Sequence, residues 1–173
     1  QGGSAALLAR VAHDEGIGRK THLFDSFEGL PNPTEEDGSQ AAGMEVRDLG
    51  GELRPIKLYD ADLASVSRFL FEQEELDPAD VRLHQGWFQD VLPLAAEDLE
   101  RIALLRIDAD WYDSVRVCLE HLYPLVVSGG YVILDDYGGY PGCKQAWDEY
   151  AERHTIDVRL NTIDEYGVWL RKP

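Results

Sequence analysis

The chain has 173 residues, 44% of them apolar, which suits one domain with a full-sized core. Its 33 acidic side chains face 16 basic ones, for a formal net charge of −17. So acidic a surface, with no basic cluster to offset it, argues against nucleic acid and anionic lipid as partners. No run of about 18 apolar residues offers a membrane span. Two cysteines, Cys118 and Cys143, are too few for a disulfide framework. So few cysteines, with Cys118 read as a core residue, lead to the expectation of a reduced, cytoplasmic protein.

In chain order, Ser4 can cap a first helix through Arg10 to Ala12, with Leu7, Leu8 and Val11 on one side. Gly16 and Gly18 end it. "THLFDSF" reads as a buried strand stopping at Asp25. From about Gly29 to Pro55 runs a segment rich in proline, glycine and acids, too long for an ordinary connection and read as a lid or insertion. Leu63, Val66 and Leu70 have helical spacing, and "DVRLHQGWF" reads as a strand from about Val81. "RIALLRIDAD" is the clearest strand. Asp113 or Ser114 can cap the helix after it, with Val115, Cys118, Leu119 and Leu122 on one face and Pro124 closing it. "GGYVILDD" is the next strand. Pro141 opens a helix carrying Ala146, Trp147 and Tyr150. The tail, "TIDVRLNTIDEYGVWLRK", reads as two strands joined by a turn around Asn161 to Glu165.

Alternating strand and helix predicts an α/β domain over residues 1–173, a mostly parallel sheet with helices on both faces and an antiparallel C-terminal hairpin. Such sheets bind ligands beyond the C-terminal ends of their strands. Asp25, Asp108, Asp110, Asp135 and Asp136 all fall at predicted strand ends and would gather on one rim. Two like charges about 4 Å apart repel by roughly 4 kcal/mol at an effective dielectric near 20. Shared protons could relieve that, or a hard divalent cation such as Mg2+, Ca2+ or Mn2+. The plainer reading is that Asp110 and Asp136 face solvent or cap helices. The five histidines carry little signal: His22 and His84 fit core or edge positions, and His13, His121 and His154 helix surfaces. Cys118 reads as core, and Tyr137, just past the second acidic pair, could line a substrate pocket or simply pack, packing being the plainer reading.

A DxD after a strand also occurs in metal-dependent glycosyltransferases and in phosphatases of the haloacid dehalogenase type. The second acidic pair, one βαβ unit later, narrows the choice. Together with "GGSAALLARV", "FDSFEGLP", "GWFQDVLP" and the long segment from Leu104 to Ala146, it resembles the macrocin O-methyltransferase family. The resemblance implies a Rossmann-like class I methyltransferase fold. It further implies S-adenosylmethionine and Mg2+ or another divalent cation as cofactors, and methyl transfer to a sugar hydroxyl of a natural product. Position by position, it implies that Gly2, Gly3 and Ser4 receive the methionine part of the cofactor. Asp25, with Ser26 beside it, would bind the ribose hydroxyls, and Gly86, Trp87 and Phe88 would flank the adenine. Asp108, Asp135 and Asp136 would be the metal ligands, and Asp110 the general base, with Asp108 as the alternative. For Trp87 and Phe88 core packing is the competing reading.

The family pattern places a strand before the glycine-rich turn, and this chain starts at Gln1, inside that turn. The expectation is therefore an N-terminally truncated domain without its first strand and with an incomplete cofactor pocket. The alternatives to methyl transfer are a DxD glycosyltransferase and a non-catalytic methyltransferase-like module. The partner expected is a small glycosylated molecule, with oligomeric state left open.

Overall fold

A computed structural model describes residues 2–16, 18–42 and 61–173. The long segment read from about Gly29 to Pro55 lies outside the described residues from position 43 onward. In chain order the elements are α1 (Gly3–Asp14), β1 (Thr21–Asp25), a 3-10 turn (Glu35–Asp37) running into α2 (Gly38–Ala42), and α3 (Leu63–Arg68), which continues as a π-helical turn (Phe69–Gln73). Then come β2 (Val81–Gln85), α4 (Phe88–Asp98), β3 (Ile102–Ile107), α5 (Tyr112–Leu122) with a 3-10 turn (Tyr123–Leu125), β4 (Val126–Leu134), α6 (Pro141–Arg153), β5 (Asn161–Thr162) and β6 (Val168–Arg171). They form two compact units, Gln1–Leu30 with Lys57–Trp87, and Pro31–Ile56 with Phe88–Pro173. Among the described residues no helix is long and apolar enough to cross a membrane.

In the first unit, Gly2 rather than Ser4 is the N-cap of α1. It sits at φ 84, and its carbonyl accepts from the Ala6 N–H at 2.8 Å. Glycine is the residue that takes this left-handed conformation without strain, and a Cβ here would lie 3.1 Å from Phe69 Cδ1. The buried face of α1 is Ala6 and Ala9, whereas Leu7 and Val11 are exposed, against the apolar stripe expected from spacing. Small side chains pack this helix into the cluster of Phe27, Val66, Leu70, Leu76 and Val81. Asp62 caps α3, accepting from Ser65 N at 2.9 Å and Ser65 Oγ at 2.7 Å. β1 and β2 pair in parallel from Thr21↔Val81 to Asp25↔Gln85. Leu23 and Leu83 turn to the cluster. On the opposite face Phe24 and His84 stack at 4.2 Å, and His22 Nδ1 lies 3.0 Å from His84 Nε2. Burial holds both histidines below their ordinary pKa.

The second unit holds a four-stranded sheet in the order β3-β4-β6-β5. β3 and β4 are parallel, and β6 runs antiparallel to both β4 and β5. The expected parallel pairs and terminal hairpin are thus present, in two sheets among the described residues. The hairpin's first strand is only Asn161–Thr162, and its turn runs over 163–167. α5 packs between α4 and α6 and on β3. Val115, Cys118, Leu119 and Leu122 of α5 are buried, as are Leu105, Ile107, Val132, Leu134 and Leu170 of the strands and Ala146, Trp147 and Tyr150 of α6. Burial raises the Cys118 thiol to about 12, so Cys118 is a core residue and no nucleophile.

α4 is an element that the sequence reading did not separate from β2. The strand stops at Gln85, Gly86 turns at φ 142, and Phe88 opens the helix instead of extending the strand. Pro93 lies inside α4.

The glycines after the second acidic pair have a packing reason. The Gly138 N–H donates to Tyr166 O at 2.7 Å, and a Cβ at Gly138 would stand 2.6 Å from the Glu165 carbonyl oxygen. The hairpin turn thereby buttresses the loop that follows Asp135 and Asp136. Gly138→Ala is expected to destabilise the chain by about 1–3 kcal/mol, the usual cost of overpacking against backbone, as read from urea unfolding midpoints.

Candidate active site

Ile107 and Leu134 are paired in the parallel ladder, and each is the last residue of its strand. The Asp135 N–H donates to Ile107 O at 3.0 Å, so the next residues of both strands emerge side by side. One carboxylate oxygen from each of Asp108, Asp135 and Asp136 lies within 4.8 Å of the others. Three convergent hard oxygen donors fit a hard divalent cation, and the set contains no sulfur or imidazole that would favour zinc.

Arg106 belongs to this cluster. Its Nη1 donates to Asp108 Oδ2 at 2.6 Å and its Nη2 to Asp135 Oδ2 at 2.7 Å. Protons and a cation were the two remedies for the crowded acids; the guanidinium is a third. One positive charge against four carboxylates leaves most of the repulsion in place. The remainder shows in the acids themselves. Asp110 is pushed up to about 7, first by burial, then by the facing Asp136 and Asp108. Asp136 rises to about 6 through burial and then Asp108, against the Asp110 N–H that donates to its Oδ2 at 3.3 Å. Asp110 and Asp136 are half-buried, neither facing solvent fully nor capping a helix.

These shifts set a pH dependence. An acid whose folded pKa lies above its unfolded value near 3.8 binds more protons when folded, so its contribution to stability is lost as pH rises through the folded value. In the presence of a chelator, the melting temperature should therefore rise when pH falls from about 8 to about 6.5, the window of Asp110. Added Mg2+ should stabilise more at the upper end of that window than at the lower. A melting temperature that instead climbs with pH in chelator would contradict this.

Asp110 takes a left-handed backbone conformation at φ 53. An aspartate adopts it more readily than most residues, yet it persists where the surroundings over-determine it. Here Trp111 N donates to Ala109 O at 2.6 Å, and the indole Nε1 of buried Trp111 donates to Pro31 O at 2.9 Å. Neither Asp113 nor Ser114 caps α5. Trp111 is its N-cap residue, without a side-chain cap, and the Tyr112 N–H donates to Asp37 Oδ1 at 2.6 Å. Asp113 is drawn away to Arg116 at 3.1 Å. Asp37 is 2% exposed, and its Oδ2 accepts from Thr34 N at 2.7 Å and Thr34 Oγ1 at 3.1 Å. In the same segment the buried Asn32 Oδ1 is an acceptor without a hydrogen-bond partner. The Tyr137 hydroxyl donates to Asp148 Oδ1 at 2.9 Å and accepts from Lys144 Nζ at 2.9 Å.

The remaining expected site residues, except Phe88, lie in the first unit. Gly2 and Gly3 stand at the N-terminal end of α1, and Ser4 lies within its first turn. Asp25 ends β1. Its Oδ1 accepts from Phe27 N at 2.7 Å, and Ser26 Oγ donates to Gly29 O at 3.0 Å while accepting from Glu28 N at 3.1 Å. "DSFEG" is thus a side-chain-locked turn, tight enough to hold Phe27 at φ 58. Gly86 adjoins Asp25, donating its N–H to Asp25 O at 2.9 Å. Trp87 and Phe88 are half-buried. Asp25 and Gly86 are therefore brought together, and so are Asp108, Asp110, Asp135 and Asp136.

The Macrocin-O-methyltransferase (TylF) family model matches residues 1–172. The chain is 36% identical to mycinamicin III 3''-O-methyltransferase of Micromonospora griseorubida, over 98% of this chain and 65% of that protein. It is 37% identical to demethyldecarbamoylnovobiocin O-methyltransferase of Streptomyces niveus, over 99% of this chain and 63% of that protein. The chain thus spans just under two thirds of the length of these curated relatives. Among solved structures, the O-methyltransferase NovP superposes with a TM-score of 0.84 at 34% identity, covering 99% of this chain and 67% of that one. The calicheamicin methyltransferase CalS11 shares the fold, with a TM-score of 0.68 at 19% identity over 95% of this chain and 66% of that one. With its acids on adjacent parallel strand ends and a family match over residues 1–172, the chain belongs to the macrocin O-methyltransferase (TylF) family.

Proposed function

We propose that this chain carries the acids of an S-adenosylmethionine- and divalent-cation-dependent O-methyltransferase acting on a sugar hydroxyl of a glycosylated natural product. The observation that carries the reading is the convergence of Asp108, Asp135 and Asp136 beside half-buried Asp110. When bound, S-adenosylmethionine supplies a methyl group on a sulfonium, and Mg2+ or another hard cation supplies a Lewis acid that makes a hydroxyl more acidic.

Asp108, Asp135 and Asp136 would hold the cation, and Arg106 would orient the first two through its paired donors. Asp110 takes the proton of the acceptor hydroxyl. A carboxylate raised to about 7 is matched to that task near neutral pH. Asp108, tied to Arg106, suits a ligand better than a base. Proton removal by Asp110 would leave the acceptor oxygen able to take the methyl group that bound S-adenosylmethionine would supply. Gly2, Gly3 and Ser4, at the N-terminal end of α1, would receive the cofactor's carboxylate. Asp25, with Ser26 beside it, would hold the ribose, and Gly86, Trp87 and Phe88 would flank the adenine.

The name of a further relative, an O-methyltransferase of Streptomyces olivaceus acting on a rhamnosyl tetracenomycin C, supports a glycosylated small molecule as partner, and mycinamicin III and demethyldecarbamoylnovobiocin are the compounds that two other relatives' names give. The charge of −17 supports neither nucleic acid nor a lipid surface. Two buried, unpaired thiols support a reducing, cytoplasmic setting. The test is transfer of a tritiated methyl group from S-adenosylmethionine to those two compounds, with Mg2+ and with EDTA. Transfer that EDTA abolishes supports the reading. Transfer unaffected by EDTA, or calorimetric binding of a nucleotide-diphosphate sugar in place of S-adenosylhomocysteine, contradicts it.

A further inference from the structure

We propose that Asp37 is a positioning residue: its carboxylate serves as a tertiary cap for α5 and thereby holds the turn Asp108–Tyr112, with Asp110 in its left-handed conformation. The inference rests on the reading of Asp110 as the base and extends it to a residue 73 positions away in sequence.

A helix leaves its first N–H groups without intrahelical partners, and a local Ser, Thr, Asp or Asn ordinarily satisfies one. α5 lacks that local partner because its N-cap residue is Trp111. The donor at its first position, Tyr112 N, is served by Asp37 Oδ1 at 2.6 Å. A carboxylate at that place also meets the positive end of the helix dipole, which offsets its burial. Its other oxygen is held by Thr34, through the backbone N–H at 2.7 Å and the hydroxyl at 3.1 Å, so Asp37 has little freedom to leave.

The site is built around this carboxylate. Gly142, in the first turn of α6, is buried, and a Cβ placed on it would stand 1.9 Å from Asp37 Oδ1 and 2.8 Å from Tyr112 N. Only glycine at 142 leaves room for the contact. Trp111, between Asp110 and Tyr112, adds a second tether through its indole to Pro31 O at 2.9 Å. The turn bearing Asp110 is thus fixed at one end by the parallel strand pair and at the other by Asp37 and Pro31.

The experiment compares Asp37→Ala, Asp37→Asn, Gly142→Ala and the double variant Asp37→Ala/Gly142→Ala in this chain. It uses three readouts: amide hydrogen exchange resolved at Tyr112, Mn2+ affinity by electron paramagnetic resonance, and methyl transfer to demethyldecarbamoylnovobiocin. Asp37→Ala should speed exchange at Tyr112 at least about tenfold, as expected for loss of a charge-assisted hydrogen bond, while β3 and β4 amides stay protected. Mn2+ affinity should stay within about threefold, because the ligand set is intact, and kcat should fall more than KM rises. Asp37→Asn, which keeps an acceptor oxygen, should restore most of the protection. Gly142→Ala should reproduce the loss with Asp37 in place, and the double variant should be no worse than Gly142→Ala alone, because the contact with Asp37 is removed while the one with Tyr112 N is common to both. Unchanged exchange at Tyr112 in Asp37→Ala would overturn the proposal. So would a uniform loss of protection across the strands, or fully additive effects in the double variant. Exchange decides the proposal even if the native chain methylates nothing, an outcome that would count against the function and not against the cap.

Discussion

Asp136→Asn is expected to weaken Mn2+ binding by at least about 100-fold, more than the 10- to 100-fold that changing an outer-shell partner of a ligand costs. The substitution keeps the size of the side chain and leaves an oxygen able to accept from Asp110 N, now 3.3 Å from Asp136 Oδ2. What it removes is charge, at the most crowded point of the cluster. The same change should not destabilise the metal-free chain, because it takes away a carboxylate that burial and Asp108 already push up to about 6. The two effects therefore run in opposite directions: affinity collapses while the melting temperature in chelator holds or rises. An ordinary damaging mutation lowers both. A spin-titration with Mn2+ beside a thermal melt in EDTA checks the pair. Retained affinity, or a melting temperature that falls by many degrees, would remove Asp136 from the ligand set.

Asp110→Asn is expected to reduce turnover by about 100- to 10,000-fold, the range a positioned general base contributes, while Mn2+ affinity stays within about threefold. Asparagine accepts a positive φ as readily as aspartate does, so the backbone at φ 53 need not move. The limb on which the native rate rises with pH should vanish in the variant, since the group that takes the proton is gone. Rates should be measured across about pH 6 to 9 at saturating Mg2+. A variant that keeps the limb would shift the base to another residue, with Asp108 next in line.

Much of this arrangement was legible in the sequence, and the reasons are specific. β3 and β4 announce themselves because "IALLRI" and "YVIL" are apolar runs that end abruptly in aspartate, and a strand end is where a parallel sheet places its chemistry. α6 was legible from Pro141 and the spacing of Ala146, Trp147 and Tyr150, all buried. Arg106 was missed although a signal was present. Strand alternation puts residues 106 and 108 on one side, so an arginine inside an apolar run two places before an aspartate marks an internal counter-ion. The boundary at Gln85 was missed because Trp87 and Phe88 extend an apolar pattern across it. The turn is made by Gly86 alone, and short apolar runs do not distinguish strand from helix.

Asp37 gave almost no signal. In "PTEEDG" it reads as one more solvated acid, and its partner lies on another helix. Only the Thr34 to Asp37 spacing hints at a cap, and that hint concerns the short 3-10 turn, not α5. The same limit explains Asp113 and Ser114, which have the right composition for a cap of α5 and lose the place to a tertiary contact. The exposed Leu7 and Val11 are a further case. Periodicity marks an apolar stripe on α1, while close packing in this unit selects the small faces of Ala6 and Ala9.

The central claim is that a divalent cation is the counter-charge for which these acids are arranged. It is tested most directly by anomalous diffraction at the manganese edge, from crystals of this chain grown with Mn2+ above pH 7. The account predicts a single strong peak bounded by one oxygen each of Asp108, Asp135 and Asp136, with Arg106 beside it. An empty position there at saturating Mn2+, with Arg106 alone bridging Asp108 and Asp135, would contradict it.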